Sequence, residues 1–137
     1  MDFQIKEIPM PYRYPEARLL DKQPKVGNAE CVTLIRHYTN APHTSKWRQG
    51  EKVLGNKGLL VGTAIANFEN GRWPGRSRGN HSAFYLGQVS DGIYVVDQWP
   101  SVEKKKISIR FIRKQRQNHD GTYANPSDNA DAFWVIE

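Results

Sequence analysis

Apolar positions change their rhythm as the chain proceeds, and each change predicts a different kind of structure. Residues 1–25 carry four prolines and no sustained period, which predicts an extended arm with at most a short helical turn in "PEARLL". From Gly27 and Asn28 onward, Val32, Leu34, Ile35 and Tyr38 form a helical stripe. Asn28 suits the N-cap, Ala29 and Glu30 the first turn, and "TNAPH" the stop, so Cys31 falls at the third helical position. "TSKWRQGEKV" predicts a second helix from Thr44, with Trp47 and Val53 inward and Gly50 as its weak point. Past Gly58 the pattern becomes short runs divided by turn residues: "LLVGTAIANF", "HSAFYLGQV", "IYVVDQW", "ISIRFI" and "AFWVI". These read as about five strands joined by hairpin-length or longer loops, hence an antiparallel sheet. Helices first and strands after give an α+β domain, with N-terminal helices packed on the sheet.

Composition narrows the picture. At 137 residues the chain suits one domain over 1–137, with residues 1–25 as its arm. Four tryptophans and an aromatic content of 11% supply a core and argue against disorder, although mean hydropathy is low at −0.72. A single cysteine allows no internal disulfide, and no Cys-x-x-Cys or His-Glu-x-x-His spacing supports zinc, so neither a metal nor another cofactor is expected. The first twenty residues lack the apolar stretch of a signal peptide, and no segment approaches a membrane span. Synthesis in a cytoplasm is expected, with any export using a route that reads no cleavable leader. The +6 balance favours anionic partners such as nucleic acid, acidic membrane or wall polymer, or simply a solvated basic face.

Chemistry concentrates at the lone cysteine. A thiol in the first turn of a helix feels the positive end of the dipole, which favours the nucleophilic thiolate; Glu30 beside it opposes that effect. A base is then needed. His37 lies six positions along the same helix and points away, while His43 and His119 lie in loops of unfixed position. His81 follows a Gly-Asn break and opens an alternating strand, a place from which a ring at the sheet edge can face a helix start. The next strand brings Asp97, a carboxylate able to fix the imidazole tautomer. Trp99 reads as a shield over that pair, and Trp73 as either a substrate-lining residue or a packed hairpin tip.

A cysteine opening a helix, a histidine starting one strand and "DQW" on the next resemble the papain-like amidohydrolases of bacterial cell walls, of the CHAP and NlpC type. Together "NAECVTLI", "WRQGEKV", "GTAIANFENGRWPG" and "HSAFYLG" look more specifically like the peptidoglycan amidase effectors of type VI secretion, over residues 25 to 100. The resemblance implies a papain-like fold, with Cys31 as nucleophile, His81 as base and acid and Asp97 as orienter. It also implies attack on a peptide-stem amide, at the γ-D-glutamyl to diaminopimelate bond or the diaminopimelate to D-alanine crosslink. Partners implied are peptidoglycan, a cognate immunity protein and a secretion-apparatus carrier, with delivery to a target cell's periplasm. A phage-type lysin would use the same chemistry.

Three details turn on how the helix start and the strands are placed. The papain pattern places an oxyanion-hole glutamine upstream of the cysteine, yet Lys25 stands at that offset, with Gln23 and Asn28 as substitutes; the Cys31 N–H supplies one donor. A tight Asp91-Gly92 turn would set Asp97 opposite Leu86, on the wrong face for His81, so the hairpin must be longer or bulged, or Gln98 must orient the ring. In "KKKISIRFIRKQR", Ile107, Ile109 and Phe111 read as the inward face and most of the cations as solvated, suited to a wall polymer or an acidic immunity partner. A non-enzymatic nucleic-acid-binding module is the rival class for this run, but no recognised motif supports it and it leaves the cysteine unexplained.

Overall fold

The computed structural model describes residues 10–137; the start of the expected arm, residues 1–9, lies outside them. One α-helix, α1 (Cys31–Tyr38), precedes six strands: β1 (Gln49–Lys52), β2 (Ala64–Ala66), β3 (Ser82–Val89), β4 (Gly92–Asp97), β5 (Ser108–Arg113) and β6 (Trp134–Ile136). They form one antiparallel sheet in the order β1-β6-β2-β3-β4-β5. The architecture is α+β, as the rhythm of the chain predicts, with one strand more and one helix fewer.

The missing helix has a clear cause. "TSK" makes only a 3-10 turn, Thr44–Lys46, and Gln49–Lys52 is a strand paired with β6 at the other end of the chain. Trp47 is fully buried, and Gly50 lies so close to the Glu137 side chain that a Cβ there would meet it at 2.6 Å. Pairing with a distant strand overrides weak local helix propensity, for which Gly50 was the warning.

Alternation sorts the sheet into two faces. Ala64, Ala66, Phe84, Leu86, Val96 and Ile136 meet Leu34 and Ile35 of α1, together with Ala17 and Leu20 from the 3-10 turn Ala17–Leu20. Ile65, Ala83, Tyr85, Ile93, Val95 and Ile112 lie on the other face, covered by Val53, Ala130 and Phe133. The chain before α1 docks on β2: Tyr14 N–H donates to the Gly62 carbonyl at 2.9 Å. Gly62 adopts φ +91, and a Cβ there would lie 1.9 Å from the Tyr14 oxygen, so only glycine allows this approach.

The β3–β4 hairpin solves the register problem with both a shifted turn and a bulge. Ser90 and Asp91 form the turn, since Val89 pairs with Gly92, and the register slips by one between Tyr85 and Gly87. Beyond the slip Phe84 faces Val96, which places Asp97 opposite Ala83 and on the face of β3 that continues to His81.

Candidate active site

Cys31 is the first residue of α1, not the third, because Glu30 takes the N-cap position. Asn28 serves the turn before it: its Oδ1 accepts from Glu30 N–H at 3.1 Å and from Thr33 Oγ1 at 2.6 Å. That turn runs through two left-handed residues, Gly27 (φ +55) and Ala29 (φ 68), the second being unusual for a residue with a Cβ. Gln98, fully buried on the α1 face of the sheet, holds it in place. Its Oε1 accepts from Val26 N–H at 2.9 Å, and its Nε2 donates to the carbonyls of Val26 at 3.1 Å and Glu30 at 2.9 Å. Gln98 therefore fixes the backbone that carries the thiol and does not reach His81.

Replacing Gln98 with alanine strands the Val26 N–H, removes one of the bonds to each of the Val26 and Glu30 carbonyls, and frees a strained turn. We expect a loss of about 2 kcal/mol in stability and roughly tenfold in turnover, read from thermal melts and steady-state kinetics. An unchanged turnover number would show that the thiol is held by other means.

Cys31 is buried, with a relative exposure of 8%. Burial pushes its pKa up, but the hydrogen bond and positive charge of His81, then the hydroxyl and N–H of Ser82, bring it below the ordinary value. His81, itself buried, sits just before β3 at the end of the sheet. Its Nε2 lies 2.7 Å from Asp97 Oδ2, which leaves Nδ1 as the nitrogen for Cys31. Burial lowers the imidazolium pKa, while bonds to Asp97 and Cys31 and their charges raise it, for a net value of about 9. Thiolate and imidazolium thus stabilise each other. His81 is also fixed by its backbone: its N–H donates to Asn67 Oδ1 at 2.8 Å, and Asn67 Nδ2 donates to the Ala132 carbonyl at 2.7 Å.

Asp97 is completely buried. Burial alone would raise its pKa, but the bond to His81 and the charges of Arg110 and Lys104 hold the carboxyl well below the usual range. Lys104 Nζ meets Oδ1 at 3.1 Å, and Arg110 Nε meets Oδ2 at 2.8 Å. Trp99 lies across all three cationic groups: the His81 ring is edge-on at 5.9 Å, Lys104 Nζ is 4.3 Å from the indole centroid and Arg110 Cζ 5.1 Å.

Most cations of the basic run face solvent as expected, Lys105, Lys106, Arg113, Lys114 and Arg116 being exposed, and Lys104 and Arg110 are the exceptions. Ile107 is buried, but Ile109 and Phe111 are about 40% exposed, at 39% and 40%. The other face of β5 turns inward: Ser108 pairs with Asp97 and Ile112 with Ile93. Asn67 and Ser82 were also missed, and both carried a signal. Asn67 follows β2 and Ser82 opens β3, each a buried polar position at the end of an apolar strand.

Of the other histidines, His37 packs edge-on against Tyr38, and His43 accepts from Ser45 N–H. Lys25 is engaged by the carbonyls of Trp99 and Ser101, both at 3.2 Å, and Gln23 pairs through its backbone with Leu20 and Ile107. Among the described residues, no acceptor takes the Cys31 N–H, which leaves it open to a developing oxyanion. Trp73 packs edge-on against Trp47 at 5.3 Å. A groove of about 880 Å³ opens beside Asn67, lined by Phe68, Arg76, Arg78, Tyr123 and Trp134.

The chain matches the family model of domesticated amidase effector 2 over residues 16–136. It is 47% identical to the type VI secretion amidase effector 2 protein of Salmonella typhi, covering 93% of this chain and 100% of that protein. It is 33% identical to domesticated amidase effector 2 of Ixodes scapularis, over 82% of this chain and 73% of that protein. A solved structure of type 6 secretion amidase effector 2 (Tae2) superposes with a TM-score of 0.87 at 46% identity, covering 92% of this chain and 94% of that one.

Proposed function

Because the chain belongs to the amidase effector 2 family, we propose that it hydrolyses a peptide amide of bacterial peptidoglycan as a secreted antibacterial effector, with Cys31, His81 and Asp97 as its catalytic residues. The observation that carries this reading is the His81 ring, bonded through one nitrogen to buried Asp97 and presenting the other to a thiol of lowered pKa.

Each step uses a group in place. The Cys31 thiolate adds to the amide carbonyl, and the oxyanion forms against the Cys31 N–H. The His81 imidazolium gives its proton to the departing amine, leaving an acyl-enzyme. Neutral His81 then takes a proton from water, whose oxygen releases the acyl group and restores the thiolate. Asp97 holds the ring tautomer and offsets the imidazolium charge. The groove beside Asn67, with Arg78 on its wall and Arg76 paired there with Glu69, gives a stem peptide a polar wall to lie against.

Family membership favours delivery by a type VI apparatus over release as a phage lysin. A carrier within that apparatus, a cognate immunity protein that plugs the cleft and a periplasmic site of action complete the reading. The nucleic-acid alternative loses Lys104 and Arg110, which face Asp97.

Mass spectrometry of purified crosslinked muropeptides tests the reaction. Incubation with the protein is expected to add one water per cut and leave new amine and carboxyl ends. Their position separates the γ-D-glutamyl to diaminopimelate bond from the diaminopimelate to D-alanine crosslink. An unchanged muropeptide profile from acid to neutral pH would end the enzymatic reading.

A further inference from the structure

We propose that Lys104 and Arg110 are positioning residues that set the working pH of the Cys31–His81 pair by sharing the Asp97 carboxylate with the imidazole. The inference rests on the catalytic reading above and adds two residues of the basic run.

Geometry carries it. Both Asp97 oxygens are occupied: Oδ1 by Lys104, and Oδ2 by His81 and Arg110 together. Lys104 is nearly as enclosed as His81, at 8% against 5% exposure, and its Nζ is held a second time by Ser108 Oγ. Arg110 is fixed at its far end by Asp128, 2.9 Å from Nη1. Both cations lie against the same indole as the His81 ring, so an ammonium and a guanidinium are held beside the proton-transfer pair.

A carboxylate bound only to an imidazolium would strengthen that ion pair and resist transfer of the proton to a leaving amine. The Lys104 and Arg110 side chains on the same carboxylate offset part of its field. The charged groups around the ring come from every neighbouring element: Cys31 from α1, Asp97 from β4, Lys104 from the β4–β5 loop, Arg110 from β5 and Asp128 from the 3-10 turn Pro126–Asp128. Glu30 precedes Cys31, and Lys25 lies on the carbonyls of Trp99 and Ser101. With Cys31 as thiolate and His81 protonated, Cys31, Asp97 and Asp128 balance His81, Lys104 and Arg110. Loss of Lys104 leaves the cluster net negative, which favours the protonated forms of Cys31 and His81.

The test is the pH dependence of kcat/KM on crosslinked muropeptides for wild type, Lys104→Met and Lys104→Arg. Methionine keeps the length and the packing on Trp99 but no charge. Both limbs of the Lys104→Met profile are expected to move alkaline by about one pH unit, with Lys104→Arg returning them to within a few tenths. The His81 ring titration, followed by NMR, is expected to move in the same direction and needs no turnover, so it stands apart from failure of the catalytic reading, which would appear as a wild type without product at any pH. If Lys104→Met fails to fold, Arg110→Gln, at the more exposed cation, is expected to move the ring titration alkaline as well. A slower enzyme with unmoved limbs and an unmoved ring titration would make both cations structural and overturn the proposal.

Discussion

Replacing Cys31 with alanine is expected to lower turnover of crosslinked peptidoglycan by at least about 10³-fold while the protein stays folded. In the proposed mechanism the thiolate forms the acyl-enzyme, and the Cys31 N–H stabilises an oxyanion without supplying a bond. The structural cost is small, because the change removes one sulfur from the edge of the core; a loss within about 1.5 kcal/mol is expected. A second effect marks the ion pair. Cys31 is one of the two groups that raise the His81 pKa to about 9, so the variant's ring should titrate at lower pH than the wild type's. Muropeptide kinetics, a thermal melt and the ring titration together check all three expectations. Cleavage at the wild-type rate by the alanine variant would place the nucleophile elsewhere.

Much of this site was legible in the sequence because its parts obey local rules. Cys31 stands at the join between a Gly-Asn turn and a helical stripe, and His81 and Asp97 stand at the ends of two successive strands. Their meeting was not legible, since it depends on a one-residue slip between Tyr85 and Gly87 that no turn signal announces. The displaced helix start, from Asn28 to Glu30, has a similar origin. Gln98, nearly seventy residues away, holds that turn in a left-handed conformation that propensity alone would not select. Lys104 and Arg110 were hidden by their neighbours, because a lysine run beside an alternating strand ordinarily faces water. Here β5 is an edge strand whose apolar Ile109 and Phe111 are half-exposed, and its inward face is bound to a buried carboxylate. A charge run next to a buried acid on the paired strand is the signal that could have separated the two cases.

Asp97→Asn should be the most damaging conservative change in the fold, costing about 3–5 kcal/mol of stability and roughly 10²–10⁴ in turnover. An amide keeps an oxygen for His81, so a site that asked only for orientation would tolerate it. This one also asks for charge, because Lys104 and Arg110 would be left enclosed against a neutral group. The pH dependence follows from the direction of the Asp97 shift. Its folded pKa lies below the unfolded value of 3.8, so its contribution is present above that value and is lost as pH falls through the folded one. The stability gap between wild type and Asp97→Asn should therefore be widest at neutral pH and shrink under acid. Removing a cation along with the charge it faces should recover part of the loss. The double variant Asp97→Asn/Lys104→Met is expected to be more stable than additivity predicts by about 1–3 kcal/mol. Denaturant melts of the four proteins at neutral and acid pH measure both effects. Strictly additive losses, or an asparagine variant within about 1 kcal/mol of wild type at neutral pH, would show that Asp97 does not hold these cations in place.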